Sequence, residues 1–209
     1  VHADDRGAFV DGRNKALLAG RMETAFRIRH RDGTTHWLSR VCSPAYDDAG
    51  AFIGRHGRMT DITEQRHREE QLRKLALAVE QSPESILIAD LDARIEYVND
   101  TFLRNTGYSR EEVLGNNPRV LQSGRAPPAT YTAMWETLTQ GQPWKGELIN
   151  RRRDGSEYVE FALITPLRQP DGSITHYVAV KEDITEKKRL GLELDRHRHH
   201  LESLVAERT

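Results

Sequence analysis

Asn150, Glu160 and Lys181 are the residues of this sequence best placed to act together. Each lies in a stretch of strand-like alternation, and residues two apart in a strand share a face. That parity puts Trp144, Gly146, Leu148 and Asn150 on one side of a sheet with Tyr158, Glu160, Ala162 and Ile164, and with Tyr177, Ala179 and Lys181. An amide, a carboxylate and an ammonium around one cavity would present donors and acceptors to a heterocycle. They would equally allow a cross-strand ion pair between Glu160 and Lys181, which leaves Asn150 unexplained. A second candidate is GNNPRVLQSG, Gly115–Gly124, with two Asn, a Pro, an Arg and a Gln between two glycines. It could cradle a bound cofactor or simply turn the chain. The run HRHH, His197–His200, sets two histidines one helical turn apart. No further ligands accompany them, and no metal site is expected.

The elements that must position these residues are written almost twice. DITE occurs at Asp61–Glu64 and again at Asp183–Glu186, an offset of 122 residues. The same offset superposes RHRDG, Arg29–Gly33, on RRRDG, Arg151–Gly155, and sets Pro44 on Pro166 and Gly50 on Gly172. A constant offset over such a span marks an internal repeat. Val1 maps onto Ser123, so Ser82–Gln122 has no counterpart and the first copy is a C-terminal half.

In the complete copy, Ser85–Asp90 and Arg94–Asn99 read as a hairpin of short strands. Short helices follow at Thr101–Asn105 and Arg110–Leu114, the second with a capping box of Ser109 and Glu112. A helix through Tyr131–Leu138 stops at Gly141. Three long strands come last, Lys145–Arg152, Glu157–Leu167 and Ile174–Asp183, turning at Asp154-Gly155 and Pro170-Asp171-Gly172. A turn symmetric about Pro170-Asp171 would set Glu160 directly opposite Lys181. The expected fold class is α+β, a five-stranded antiparallel sheet with short helices on one face and flanking coiled-coil helices. The other face carries Val159, Phe161, Leu163, Val178 and Val180, too apolar a set to be left in water.

The repeat also supplies a control. Asn150, Glu160 and Lys181 correspond to Ile28, Leu38 and Met59, so one copy is polar where the other is apolar. Buried polar groups without partners cost a few kcal/mol, so the second copy must satisfy them. Cys42 corresponds to Ile164 and is expected to be a buried apolar residue, not a redox switch.

Composition narrows the function classes. The chain has 31 basic against 32 acidic side chains, which gives no electrostatic reason to expect nucleic acid or a membrane surface as partner. One cysteine excludes an internal disulfide and any multi-cysteine metal site. No apolar run approaches the roughly 20 residues of a bilayer span and no signal-peptide pattern opens the chain, so a cytoplasmic location is expected. The chain opens on Val1 and is expected to be part of something larger. ATP-binding Gly-rich motifs, nucleophile elbows and metal-ligand clusters are missing, which argues against an enzyme acting by itself.

The element order, with TGYSREEVLG, NRRRDGSEY and DITE, resembles the PAS family of sensory domains. The resemblance covers Leu75–Glu186 and, as a C-terminal half, the opening segment. It implies an incomplete first PAS domain over residues 1–63, a helical linker over 64–82, a complete second domain over 83–185 and a signalling helix or coiled coil over 186–209.

Within it, GNNPRVLQ resembles the GxNCRFLQ loop of flavin-binding LOV light sensors, matching at Gly115, Asn117, Arg119, Leu121 and Gln122. Pro118 stands at the photoreactive cysteine, and without a thiol no cysteinyl adduct can form. Asn150 stands where such domains place a flavin-facing Asn, while Glu160 and Lys181 replace a second Asn and a Gln. PWKGELINRRRDG, Pro143–Gly155, is similar to redox-sensing PAS modules of nitrogen-fixation, methane-oxidation and aerotaxis sensors, which bind FAD without a cysteine. That likeness implies FAD, with Trp144 and Asn150 lining the isoalloxazine and Arg119 meeting a phosphate. Another small ligand, or an empty dimerising module, stays open. Haem is not expected, because no His falls on the helix side of the complete copy.

The resemblance further implies signal transmission through Asp61, Thr63, Asp183 and Thr185. Asp61 and Asp183 should each start a helix in reciprocal capping with Glu64 and Glu186. Leu190, Leu194, His197, Leu201 and Leu204 then form an a/d seam, expected to join a parallel homodimer, which Leu72, Leu75 and Val79 repeat weakly. The expected function is a non-catalytic sensory and dimerisation region feeding a C-terminal output domain of the same chain, a histidine kinase. The alternatives are a ligand-free relay and the input of a diguanylate cyclase or phosphodiesterase. A flavin oxidoreductase is the one enzyme class kept.

Overall fold

The computed structural model describes residues 1–7, 9–10 and 20–206, the side chains of 201 and 203–206 excepted. It separates into Val1–Ala76 and Leu77–Thr209.

Unit one is a three-stranded antiparallel sheet, β1 (Met22–Arg29), β2 (Thr35–Tyr46) and β3 (Phe52–Asp61), in that order. In unit two, β4 (Ser85–Ala89) and β5 (Ile95–Val98) precede three short helices. These are α2 (Asp100–Thr106), α3 (Arg110–Val113) and α4 (Pro128–Thr139); β6 (Trp144–Arg151), β7 (Glu157–Arg168) and β8 (Ile174–Asp183) follow. The five strands form one antiparallel sheet in the order β5-β4-β8-β7-β6. Helix α1 (Thr63–Glu80) follows β3, and α5 (Thr185–Ala206) follows β8. The offset of 122 residues carries every boundary of β1, β2 and β3 onto those of β6, β7 and β8, and the start of α1 onto the start of α5.

Strand parity follows the sequence pattern. Leu148 and Asn150, Tyr158, Glu160 and Ala162, and Tyr177, Ala179 and Lys181 are buried on one face. The helices cover that face because each carries an apolar stripe, and Phe102, Val113 and Leu121 close over Leu87, Ile95 and Ala179. Helix α3 has the capping box formed by Ser109 and Glu112. In unit one, Phe26 alone among the described residues is buried, and Met59 is 62% exposed. Cys42 is half-buried, not buried, for the same reason: its sheet has no helical layer like that of unit two among the described residues.

The register of the last hairpin differs from the sequence reading. Lys181 pairs with Ala162, and Glu160 pairs with Asp183. The turn runs from Gln169 to Ser173, held by Gln169 N–H to Ser173 O at 2.8 Å and by Asp171 Oδ1 accepting from Ser173. A bulge between Leu167 and Arg168 shifts the pairing further. The displacement is two residues, an even number, so every side chain keeps its face.

Leu190 and Leu194 of α5 are exposed within the single chain, and the side chains of Leu201 and Leu204 lie outside those described. No helix among the described residues is long and apolar enough to cross a membrane.

Candidate functional site

Between the sheet of unit two and α4 lies a cavity of ≈ 410 Å³, within the range of small-molecule sites. Its wall is apolar where Leu87, Leu148 and Ala179 face Met134 and Leu138. Asn150 and Lys181 break that wall, and both are buried. Lys181 Nζ donates to Glu160 Oε1 at 2.7 Å, and Tyr158 OH donates to Glu160 Oε2 at 3.2 Å. Glu160 is itself 2% exposed and does not line the cavity. The ammonium therefore faces the cavity, and the carboxylate stands behind it. Burial pushes the Tyr158 phenol up, and the Glu160 charge pushes it further, so it remains a neutral donor.

Trp144, expected to line a ligand, does not reach the cavity. Its indole lies back over Gly146, where a Cβ would come within 2.5 Å of the ring. There it packs with Met134, Leu138 and Tyr177. Asn117, Arg119 and Gln122 do reach the cavity, beside Pro118. Asn117 Oδ1 is engaged in accepting from Arg119 N at 3.0 Å, which starts a 3-10 turn over Pro118–Leu121. The segment is fastened to β6 through a Gln122–Asn150 bridge and through Ser123 Oγ donating to Ile149 O at 2.5 Å. The stretch between the two glycines thus both turns the chain and forms one side of the cavity.

Tyr131 was missed by sequence reasoning. Its hydroxyl is buried without a hydrogen-bond partner among the described residues, and its ring lines the cavity. Burial raises it, and the Glu160 charge adds to the rise. The signal was present: Tyr131, Met134, Trp135 and Leu138 follow the one-face spacing of a helix.

The cavity connects to the start of α5. Lys181 is two residues from Asp183, the last residue of β8. Asp183 Oδ1 accepts from Thr185 N at 2.9 Å, and Oδ2 accepts from Arg152 Nη2 at 2.7 Å. Val159 N–H donates to Thr185 Oγ1 at 2.9 Å, which ties the helix start to the middle of the sheet. Burial pushes the Asp183 carboxyl upward, but the Arg152 and Thr185 donors outweigh it and hold it below its ordinary value. The reciprocal capping expected from Glu64 and Glu186 is not formed. Glu64 pairs with Arg68, and Glu186 with Arg189 at 2.7 Å. The aspartates sit one residue too early for a capping box, because each helix begins at the threonine.

Among the described residues no cluster of three or more His, Cys, Asp or Glu is placed to hold a metal. The PAS domain family model matches residues 83–186, the span that encloses the cavity, and a PAS fold model matches residues 1–59.

The chain carries a PAS domain.

A nitrogen fixation regulatory protein of Klebsiella oxytoca is 42% identical over 127 residues, 61% of this chain and 26% of the relative. The aerotaxis receptor of Escherichia coli strain K12 is 32% identical over 104 residues, 50% of this chain and 20% of the receptor. The chain therefore spans about a quarter or less of the length of these relatives. An RNA-binding Light-Oxygen-Voltage receptor of solved structure has a TM-score of 0.54, with 16% identity over 95% of this chain and 88% of that one, a likeness of fold alone.

Proposed function

We propose that this chain is the sensory input region of a larger signalling protein, and that the cavity of its PAS domain holds a flavin. The observation that carries the reading is the polar break in an apolar cavity. Asn150 and Lys181 face inward in unit two, while Ile28 and Met59 stand at the matching positions of unit one. Relatives named for nitrogen-fixation regulation and aerotaxis support a sensory role. The likeness of PWKGELINRRRDG to redox-sensing modules favours FAD.

The residues fit such a group. Asn150 and Lys181 offer hydrogen bonds to a heterocyclic edge, Gln122 borders the same space, and Arg119 can meet a phosphate. Pro118 at the cavity wall has no thiol to bond to the ring. A bound flavin would supply a redox centre whose charge changes with oxidation state. Lys181, backed by its partner Glu160, is the buried charge that would meet such a change. Any displacement of Lys181 is passed along β8 to Asp183 and the start of α5. A coupling of roughly 1–3 kcal/mol is enough for a switch. The output domain that α5 leads to is, on this reading, a histidine kinase, with a cyclic-dinucleotide enzyme as the second choice.

Near-ultraviolet and visible absorption of the purified chain tests the ligand. Flavin bands, released by heat and identified as FAD, are expected. A featureless spectrum after incubation with FAD and FMN would remove flavin from the reading.

We place self-association on the outer sheet face, where Phe161 and Leu163 are 39% and 42% exposed. Phe161→Glu with Val178→Glu should halve the mass measured by sedimentation. An unchanged mass would put the contact elsewhere.

A further inference from the structure

The two helices that leave the sheets start on the same aspartate and threonine, but a different cation holds each aspartate. Asp61 Oδ1 accepts from Thr63 N at 2.9 Å and from Thr63 Oγ1 at 2.6 Å. Trp37 N–H donates to that threonine oxygen at 2.8 Å, as Val159 N–H does to Thr185 in unit two. Asp183 is held by the guanidinium of Arg152, which is charged at every accessible pH. Asp61 is held by the imidazole of His36, with Nδ1 2.8 Å from Oδ2.

The proton positions on His36 follow from its neighbours. Asp32 Oδ1 accepts from the N–H of Thr34 at 2.8 Å and from its hydroxyl at 2.6 Å. Those Thr34 bonds, more than any other cause, hold the Asp32 carboxyl down to about 2, so it is ionised and can only accept. The Thr34 hydroxyl proton therefore points at Asp32. Thr34 Oγ1 has only lone pairs left for His36 Nε2, 3.0 Å away. Asp61 is likewise lowered to about 2, first by Thr63, and only accepts from Nδ1. Both ring nitrogens must then donate, which requires the imidazolium.

We propose that His36 is a proton-operated clasp on the start of helix α1: protonated, it bridges Asp61 and Thr34; neutral, it must release one of them. The charged and titratable groups facing the ring are Asp61 from β3 and, across the turn between β1 and β2, Asp32 and His30. The His30 ring lies 5.7 Å from that of His36, and its Nδ1 is 3.2 Å from Asp32 Oδ2. Helix α5, with Arg152 in the clasping role, has no such control. The clasped state holds one proton more than the released state, so acid favours the clasp and its contribution is lost as rising pH removes that proton.

Nuclear magnetic resonance on the full 209-residue chain tests this. At about pH 5.5 both His36 ring nitrogens should carry protons. As His36 titrates, the Thr63 amide signal should move with it while that of Thr185 stays. Exchange protection of the Arg66 amide, which donates to Ile62 O at 2.9 Å, should fall roughly two- to fivefold after correction for hydroxide catalysis. His36→Gln should abolish the dependence, His36→Arg should leave protection high throughout, and His30→Gln should preserve the dependence. A single-tautomer neutral His36 at the acid end, or a Thr63 signal indifferent to His36 titration, overturns the proposal.

Discussion

Lys181→Met is expected to lower the unfolding free energy by about 3–5 kcal/mol, the cost of leaving a buried carboxylate without its ion-pair partner. Glu160 and Lys181 are 2% and 6% exposed, and the carboxylate then keeps only Tyr158 at 3.2 Å. A domain of this size has roughly 5–15 kcal/mol to lose, so the variant stands near the limit of folding. The double variant Lys181→Met, Glu160→Leu should recover most of the loss, because an apolar pair of similar volume is often neutral or stabilising where a buried ion pair stood. Those are the residues that Met59 and Leu38 already supply at the matching positions of unit one. Urea unfolding of the three proteins measures both effects. A single variant that loses less than about 1 kcal/mol would mean that the pair is solvated, contrary to its geometry. On the proposed reading, the double variant also separates stability from ligand binding, since it should fold yet take up a flavin more weakly than the wild type.

Period was easier to read than position. The boundaries of β6, β7 and β8 fell within a residue of the sequence reading, and the buried face was right, because alternation depends only on parity. Register depends on how many residues a turn absorbs, and the bulge at Leu167/Arg168 is invisible to alternation. Depth was the second gap. Glu160 and Lys181 share a face, yet only Lys181 reaches the cavity. Trp144 also has the correct parity, but Gly146 gives its ring room to lie along its own strand. Parity says which side of a sheet a side chain leaves from, not how far it reaches or which way it bends. Tyr131 was hidden for a different reason: a tyrosine in a helix reads as core until its hydroxyl is found without a partner.

Asn99→Ala should cost about 3–4 kcal/mol and lower the melting temperature by on the order of 10 °C. Asn99 has no exposed surface and uses both ends of its amide. Oδ1 accepts from Ile86 N at 2.9 Å and from Phe102 N at 3.0 Å, so it fastens β4 and caps α2. Nδ2 donates to Val79 O at 3.1 Å and to Glu84 O at 2.9 Å, and so holds the last turn of α1 against the hairpin. The next residue of that turn, Glu80, accepts from Tyr97 OH, from Asp100 N at 3.2 Å and from Arg110 Nη2 at 3.0 Å. Alanine would take the Oδ1 acceptor from the Ile86 and Phe102 N–H groups and the Nδ2 donor from the Glu84 and Val79 carbonyls, the last of which keeps Ser82 N–H at 3.3 Å. Asn99→Asp is the sharper test: it keeps the shape and the acceptor role of Oδ1, but turns a carboxylate oxygen toward two carbonyls. It should be no more stable than alanine at neutral pH and should recover on acidification, as the carboxyl gains a proton to donate. If Asn99→Asp instead matches the wild type at neutral pH, the two Nδ2 bonds contribute nothing and α1 is held by Glu80 alone.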